Sequence, residues 1–439
     1  MDTLDRRSFL ESSSRTVVSM AAAGIALTAR RSRAAGPNDV MRVGVVGFNG
    51  RGGSHIEAFL PSGGKGTEVG ALVDIDEKVL SRGVGRVEKD QSRPPAAFTD
   101  VRKMLEDKAI DAVSIATPNH WHSLAAIWAV QAGKDVYVEK PLSHNVFEGR
   151  KLVEAARKYK RIVQHGTQSR SAGGVREAIE QLRAGVIGKV YMAKGHCFKW
   201  RPSIGKVSEP TPVPAGVDYD LWCGPAPMKP IRRKRFHYDW HWQWDFGNGD
   251  IGNQGVHEMD IARWGLGVGL PKAVFSDGGR FGYVDDGETP NTQHAIFEYD
   301  EGVLQFEVRG LPTNDEREVL VGNIFYGSEG YMVVNRGKWQ TFMGQAGKPG
   351  PSGPTKEARG MDHFLNFVEA VKSRDAATLN APVEEGHLSS ALCHLANVSY
   401  RLGRKLHFDP KSEKFVGDKD ADALLTREYR KPYVVPEVV

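Results

Sequence analysis

The tightest constraint on this chain lies at Met41-Arg42-Val43-Gly44-Val45-Val46-Gly47, an apolar run feeding straight into Phe48-Asn49-Gly50-Arg51-Gly52-Gly53. The run reads as a buried strand, and Ser54 to Leu60 reads as the short helix that follows. A strand that turns this sharply into a helix points unpaired N–H groups at the turn, where they favour an anion such as a pyrophosphate. Glycines serve such a turn by allowing the bend, the close approach of a phosphate and contact between helix and strand. Here the pattern is Gly47-x-Asn49-x-x-Gly52, with asparagine at the usual second glycine. Asparagine tolerates left-handed backbone better than most residues, and Gly50 offers clearance one position later. Arg51 completes the turn.

The next strand, Glu68 to Val73, ends in Asp74, 22 residues past Gly52. That matches the spacing of about 20 residues for a carboxylate on an adenosine ribose. A carboxylate there accepts from the 2′-hydroxyl and repels a 2′-phosphate, which favours NAD while leaving NADP possible. Asp76 is a second carboxylate nearby. Asp111 to Ala116 gives another buried strand, ending at Thr117-Pro118-Asn119-His120. Val136-Tyr137-Val138 gives a further one, ending at Glu139-Lys140-Pro141. Strands alternating with helical stretches argue for an α/β fold with a parallel, doubly wound sheet. Ligands of such sheets lie outside the strand carboxyl ends, so Lys140 is placed to meet a cofactor or substrate.

In order and spacing, the glycine turn, Asp74, the Thr117–His120 strand end and Glu139-Lys140-Pro141 resemble the glucose–fructose oxidoreductase / inositol dehydrogenase / MocA (Gfo/Idh/MocA) family. The resemblance covers about Asp39 to about Lys405. It implies an N-terminal Rossmann dinucleotide-binding domain (36–168) and a C-terminal α/β domain (169–405) with a large open, mostly antiparallel sheet that often mediates homo-oligomers. It also implies NAD(P)-dependent oxidation or reduction of sugars, cyclitols and related polyols. The cofactor-binding set is then Gly47, Asn49, Gly50, Arg51, Gly52, Asp74, Thr117, Pro118, Asn119, His120, Glu139 and Lys140.

Farther along, Asp250, Asn253, His257, Asp260 and Trp264 recur at spacings of three, four, three and four, one face of a helix. Three glycines weaken that helix, so packing must hold it. The resemblance implies that a histidine here meets the lysine at the nicotinamide, and His257 matches it. Lys140 and His257 are thus the catalytic pair. Two cations side by side lower each other's pKa. Inositol-dehydrogenase-like relatives carry aspartate four residues before the histidine, where this chain has Asn253. An amide can orient an imidazole without stabilising its charge, and Asp250 and Asp260 are both candidates for that charge. Trp240, Trp242 and Trp244 alternate as in a strand or extended loop, which would turn their rings to one side as a platform for a sugar. Trp240, Trp242, Asp250, Asn253 and His257 form the substrate-binding set.

Arg6-Arg7-Ser8-Phe9-Leu10 precedes a 14-residue apolar stretch, Thr16 to Ala29. Residues 1–35 therefore resemble a twin-arginine export signal, with that export machinery as partner and a periplasmic or otherwise exported destination. A protein exported folded can carry a tightly bound nucleotide with it. That opens an alternative to net oxidoreduction, an NAD-dependent glycoside hydrolase or lyase using transient oxidation. A non-catalytic nucleotide- or sugar-binding protein is the remaining alternative.

The signal holds +3 of the total charge of +5, so no nucleic-acid partner follows from charge. The run Arg232 to Arg235 reads as a solvated or subunit-contact face. His120 and His122 lack the cysteine or carboxylate cluster a metal would need, so no metal is expected. Three cysteines demand no disulfide framework. The Gly- and Pro-rich stretch Gly344 to Lys356 reads as a mobile loop, and the tail 406–439 as an extended arm.

Overall fold

A computed structural model describes residues 40–356 and 360–439. The twin-arginine reading of residues 1–35 lies outside the described residues.

Six strands form a parallel sheet: β1 (Met41–Val46), β2 (Thr67–Val73), β3 (Ala96–Phe98), β4 (Ala112–Ile115), β5 (Asp135–Val138) and β6 (Val163–His165), in the order β3-β2-β1-β4-β5-β6. Residues of β1, β4 and β5 are buried on both faces, which is why these strands read as continuous apolar runs. One face is covered by helices 122–131 and 146–159, the other by helices 52–59, 77–91 and 363–373. The order reverses between β1 and β4, so a crevice opens there at the strand carboxyl ends.

The second sheet holds β7 (Val190–Cys197), β8 (Ala273–Gly279), β9 (Thr292–Glu298), β10 (Val303–Arg309), β11 (Val321–Gly327), β12 (Gly330–Asn335), β13 (Lys338–Met343), β14 (Lys348–Gly353), β15 (Leu406–Asp409) and β16 (Lys414–Phe415). Their order is β14-β13-β12-β11-β7-β10-β9-β8-β15-β16, antiparallel except for β7 beside β10. In β9, Gln293, Ala295 and Phe297 are buried while His294 and Ile296 are exposed. Helices Gly255–Leu266 and Val383–Leu402 pack on the buried face. The fold class expected from the sequence is therefore the one present.

Four local expectations are corrected. Gly344 to Lys356 contains β14, an edge strand whose prolines are tolerated because an edge needs fewer ladder donors. The tail is no free arm. Tyr433, Val435 and Val439 are buried in the core of the first domain, and the Tyr433 hydroxyl donates to Asp220 at 2.7 Å. Asp239–Trp242 coils into one 3₁₀ turn, so the tryptophans do not alternate as in a strand. Within the basic run, Arg233 is buried with its guanidinium 4.2 Å from the Trp222 ring centre and 4.6 Å from that of Phe236. Aromatic faces replace water around its charge.

Candidate active site

The crevice, about 350 Å³, is lined by the glycine turn, Asp74, Thr117 to Asn119, Glu139, Lys140 and Asn253. Gly52 is required by packing, since a Cβ there would stand 2.0 Å from the Gly47 carbonyl oxygen. Gly50 is different: a Cβ would meet nothing within 4 Å, so the turn leaves open space on the crevice side. Asn49 lines the crevice and its exposed amide oxygen accepts from Arg82 at 3.3 Å.

The two aspartates after β2 divide their work. Asp76 caps the helix Glu77–Gln91, accepting from the Lys78 and Val79 N–H groups at 2.9 and 3.3 Å. Such a cap contributes about 1 kcal/mol. Asp74 lines the crevice and accepts from Phe48 N–H and Asp76 N–H, both at 3.1 Å. Burial raises its pKa against those two bonds.

Thr117 Oγ1 and Asn119 Oδ1 are buried without any hydrogen-bond partner, and both residues line the crevice. An unpaired buried polar atom costs about 1–3 kcal/mol, so a ligand with donors and acceptors fits this wall. Together with the open glycine turn, these orphans fit a dinucleotide. His120 does not belong to this set. Its Nε2 lies 2.9 Å from the Trp222 carbonyl, and its ring packs against Trp222 and Phe246. The neighbour His122 lines the crevice instead, held between the carbonyls of Pro141 and Thr117. Second-domain carbonyls and rings hold His120, and first-domain carbonyls hold His122.

Glu139 is the most heavily bonded group here. It accepts from Arg51 Nε at 2.9 Å, His55 Nε2 at 3.1 Å, Gln168 Nε2 at 2.9 Å and the Lys140 N–H at 3.2 Å. Burial opposes its charge, yet His55, Arg51 and Lys140 hold its pKa well below the usual carboxylate range. Arg51 is thus committed to Glu139. Lys140 follows at the end of β5, and its Nζ donates to the Asn253 carbonyl at 2.5 Å. Burial lowers the Lys140 pKa, partly countered by Glu139.

The second domain closes the site with a broken helix. Gly249–Asn253 stops at Gln254, and Gly255–Leu266 starts anew. Gly255 opens the second helix directly against Phe306, whose ring a Cβ would approach to 2.5 Å. The break corrects three expectations. Asn253 meets Lys140 through its backbone, and its amide does not orient His257, whose Nδ1 has no partner. Asp250 lies outside the crevice, ion-paired to Arg201 at 2.6 Å. Asp260 is paired to Arg170 at 2.7 Å and accepts from Ser389 at 2.6 Å. Neither candidate carboxylate bonds to His257, which is half-buried and stands behind the residues lining the crevice, near enough to Lys140 to feel its charge. Burial first and the Lys140 charge second lower the His257 pKa to about 4.

Of the tryptophans, Trp240 lines the crevice with its ring stacked on His241 at 3.7 Å. Trp242 is turned away and buried beside Arg201. Tyr238, His241 and His237 also line the wall, with His237 Nε2 3.0 Å from Asp76 Oδ2. The dense aromatic and histidine stretch 236–246 was the signal for them, but alternation singled out the tryptophans.

A family model described as an oxidoreductase family NAD-binding Rossmann fold matches residues 41–167. Its companion, the C-terminal α/β domain of an oxidoreductase family, matches 173–274 and 356–435. A glycosyl hydrolase family 109 protein of Shewanella baltica is 33% identical over 174 residues, 36% of this chain and 38% of the relative. An alpha-N-acetylgalactosaminidase of Shewanella oneidensis is 32% identical over the same shares. The chain thus spans well under half the length of these curated relatives. Among solved structures, the WlbA dehydrogenase of Chromobacterium violaceum, in complex with NADH and UDP-GlcNAcA, superposes with a TM-score of 0.65. That likeness covers 85% of this chain and 97% of the other at 21% identity, which speaks to fold alone.

Proposed function

This chain belongs to the Gfo/Idh/MocA oxidoreductase family, and from that premise we propose that it moves a hydride to or from a secondary hydroxyl of a sugar, cyclitol or related polyol. The carrying observation is Lys140, half-buried at the end of β5 in the same crevice as the open glycine turn and the orphaned Thr117 and Asn119 atoms. The turn Gly47–Gly52 and Asp74 would hold NAD, the turn on its pyrophosphate and Asp74 on its adenosine ribose, and NAD would supply the hydride chemistry; NADP is the less favoured nucleotide. His257, neutral at pH 7, takes the hydroxyl proton on its imidazole, whose buried Nδ1 has no partner. Lys140 stabilises the developing alkoxide, and Glu139 keeps the lysine in place. The carbinol carbon loses its hydrogen with both electrons, the oxygen loses its proton to His257, and a ketone results.

The family 109 relatives favour a second reading, a glycoside hydrolase or lyase that uses the same cofactor without net redox change. Transient oxidation acidifies the neighbouring C–H, elimination expels the aglycone, water adds, and the returned hydride restores the starting redox state. Export by the twin-arginine route, a periplasmic setting, a resident nucleotide and a homo-oligomer are further parts of this proposal, resting on residues 1–35 and on the family. The test is to purify the protein without added nucleotide, denature it in acid and quantify nicotinamide by mass, then assay sugars and glycosides for NADH. Reducing-sugar release with stoichiometric retained NAD and no NADH selects the glycosidase. NADH formation from free sugars selects the dehydrogenase, and neither activity in nucleotide-loaded protein refutes both.

A further inference from the structure

A second and larger cavity, about 860 Å³, lies beside the reaction centre. Asn253 lines the first cavity and Gln254 the second, so the break between the two helices separates them. Its walls come from the helix Gly255–Leu266, the segment Phe198 to Trp200 just after β7, the start of β11, and the β12–β13 turn at Arg336.

Two buried polar side chains facing this cavity are left incomplete. Glu258 is 5% exposed; its Oε1 accepts from Gln254 Nε2 at 3.1 Å, while its Oε2 has no partner. Asn323 is 0% exposed; its Nδ2 donates to the Glu258 carbonyl at 2.7 Å, while its Oδ1 has no partner. Native proteins leave few such atoms unsatisfied, and two in one cavity call for a common partner. Asn323 is held on the Glu258 main-chain carbonyl and the Glu258 carboxyl on Gln254, so both groups are placed before any ligand arrives. Burial raises the Glu258 pKa to about 8, so near neutral pH its carboxyl is largely protonated and can donate as well as accept. Hydroxyls, which do both, suit such a pair. At the mouth stands Trp200, 65% exposed, an aromatic face for the C–H side of a sugar ring. Lys199 and Arg336 on the rim make no salt bridge among the described residues and add two donors.

From these contacts we infer that the second cavity is a subsite for a saccharide unit beyond the one whose hydroxyl reacts, with Glu258 and Asn323 reading its hydroxyls and Trp200 carrying its ring. The substrate class is then an oligosaccharide or glycoside. This rests on the sugar-oxidoreductase reading above.

The test uses the nucleotide-loaded protein on an immobilised array of mono-, di- and trisaccharides of glucose, galactose, N-acetylglucosamine and N-acetylgalactosamine. Binding there needs no redox turnover. We expect at least one di- or trisaccharide to bind tenfold or more tightly than its monosaccharide. Trp200→Ala, at an exposed position that folding tolerates, should abolish that ratio, and Glu258→Gln and Asn323→Leu should reduce it. A ratio of one across the array, no retained saccharide, or a ratio indifferent to Trp200→Ala and Glu258→Gln overturns the subsite. Selective binding without NADH formation or glycoside cleavage would instead refute the proposed activity and leave the subsite standing.

Discussion

Glu139 on one side of the site and His257 with Glu258 on the other are built to opposite rules. On the first-domain side, Glu139 is surrounded by donors from Arg51, His55, Gln168 and its own neighbour Lys140. On the second-domain side, His257 Nδ1 and Glu258 Oε2 are buried and bonded to nothing. A saturated carboxylate fixes a charge in place before reaction, which is what preorganised electrostatic stabilisation needs. Unsatisfied atoms carry a cost in the free protein that a ligand can relieve. Glu139 holds position; His257 and Glu258 await substrate, as the orphaned Thr117 and Asn119 atoms await a cofactor.

The largest expected effect tests the first half. Lys140→Ala should lower kcat by about 10³-fold, consistent with loss of one preorganised charge beside the reacting oxygen. NAD affinity, measured by titration calorimetry, should change little, because the glycine turn and Asp74 remain. A folded variant that no longer binds NAD would place Lys140 in nucleotide binding and remove it from the chemistry.

Next in size is the support beneath the lysine. Glu139→Ala strands the buried donors of His55 and Gln168, and should cost about 3 kcal/mol in urea unfolding. The pH sign follows from its depressed pKa. The native state holds fewer protons on Glu139 than the unfolded chain does. Its contribution is therefore present above the unfolded value of about 4.3 and is lost as pH falls through the folded one. In Glu139→Ala that portion of acid destabilisation should vanish.

The histidines sharpen the contrast. His120, His165 and His394 are pushed to about 3 by burial, and His257 to about 4. The first three sit in packed interior and should act only on stability. Below about 6.5 the unfolded chain takes up protons that the native protein refuses, so stability is full above that pH and falls below it, by at most about 4 kcal/mol per pH unit. His257 should act on turnover. kcat/KM should fall as pH drops through about 4 rather than about 6.5, and His257→Asn should cost about 10²-fold. A limb near 6.5 that survives His257→Asn would assign the base elsewhere.

How much of this was readable in the sequence follows the same division. β1, β2, β4 and β5 were legible because parallel strands buried on both faces leave unbroken apolar runs, and Asp74 and Lys140 sit where those runs stop. The second half was not. Spacings of three, four and three fit a helix whether or not it breaks, and the glycine that follows the break packs against Phe306, a ring from β10. Alternating tryptophans fit a strand, yet the chain there coils into one turn. Arg233 lies in a run of four cations, and nothing local marks which one is buried under aromatics. His120 and His122 are two residues apart, and tertiary packing alone turns one into the crevice. Local patterns report what a strand end requires; they do not report what another domain brings to it.

The smallest expected effect lies at the crevice's far end and probes whether saturation there also means fixed function. Asp74 already accepts two backbone N–H bonds, from Phe48 and Asp76. A pure structural role would make Asp74→Asn a loss of stability with the nucleotide preference unchanged. A role toward the ribose makes a different claim, since the charge both attracts the 2′-hydroxyl and repels a 2′-phosphate. Removing the charge while keeping the shape should then weaken NAD and strengthen NADP, shifting their ratio of kcat/KM by about tenfold, or about 1.4 kcal/mol. The backbone bonds can persist through the amide oxygen on only one side at full strength, so a modest loss of thermal stability should accompany the shift. An unchanged ratio with the same loss of stability would confine Asp74 to bracing the turn, and nucleotide choice would then rest on the backbone geometry of Asn49 and Gly50.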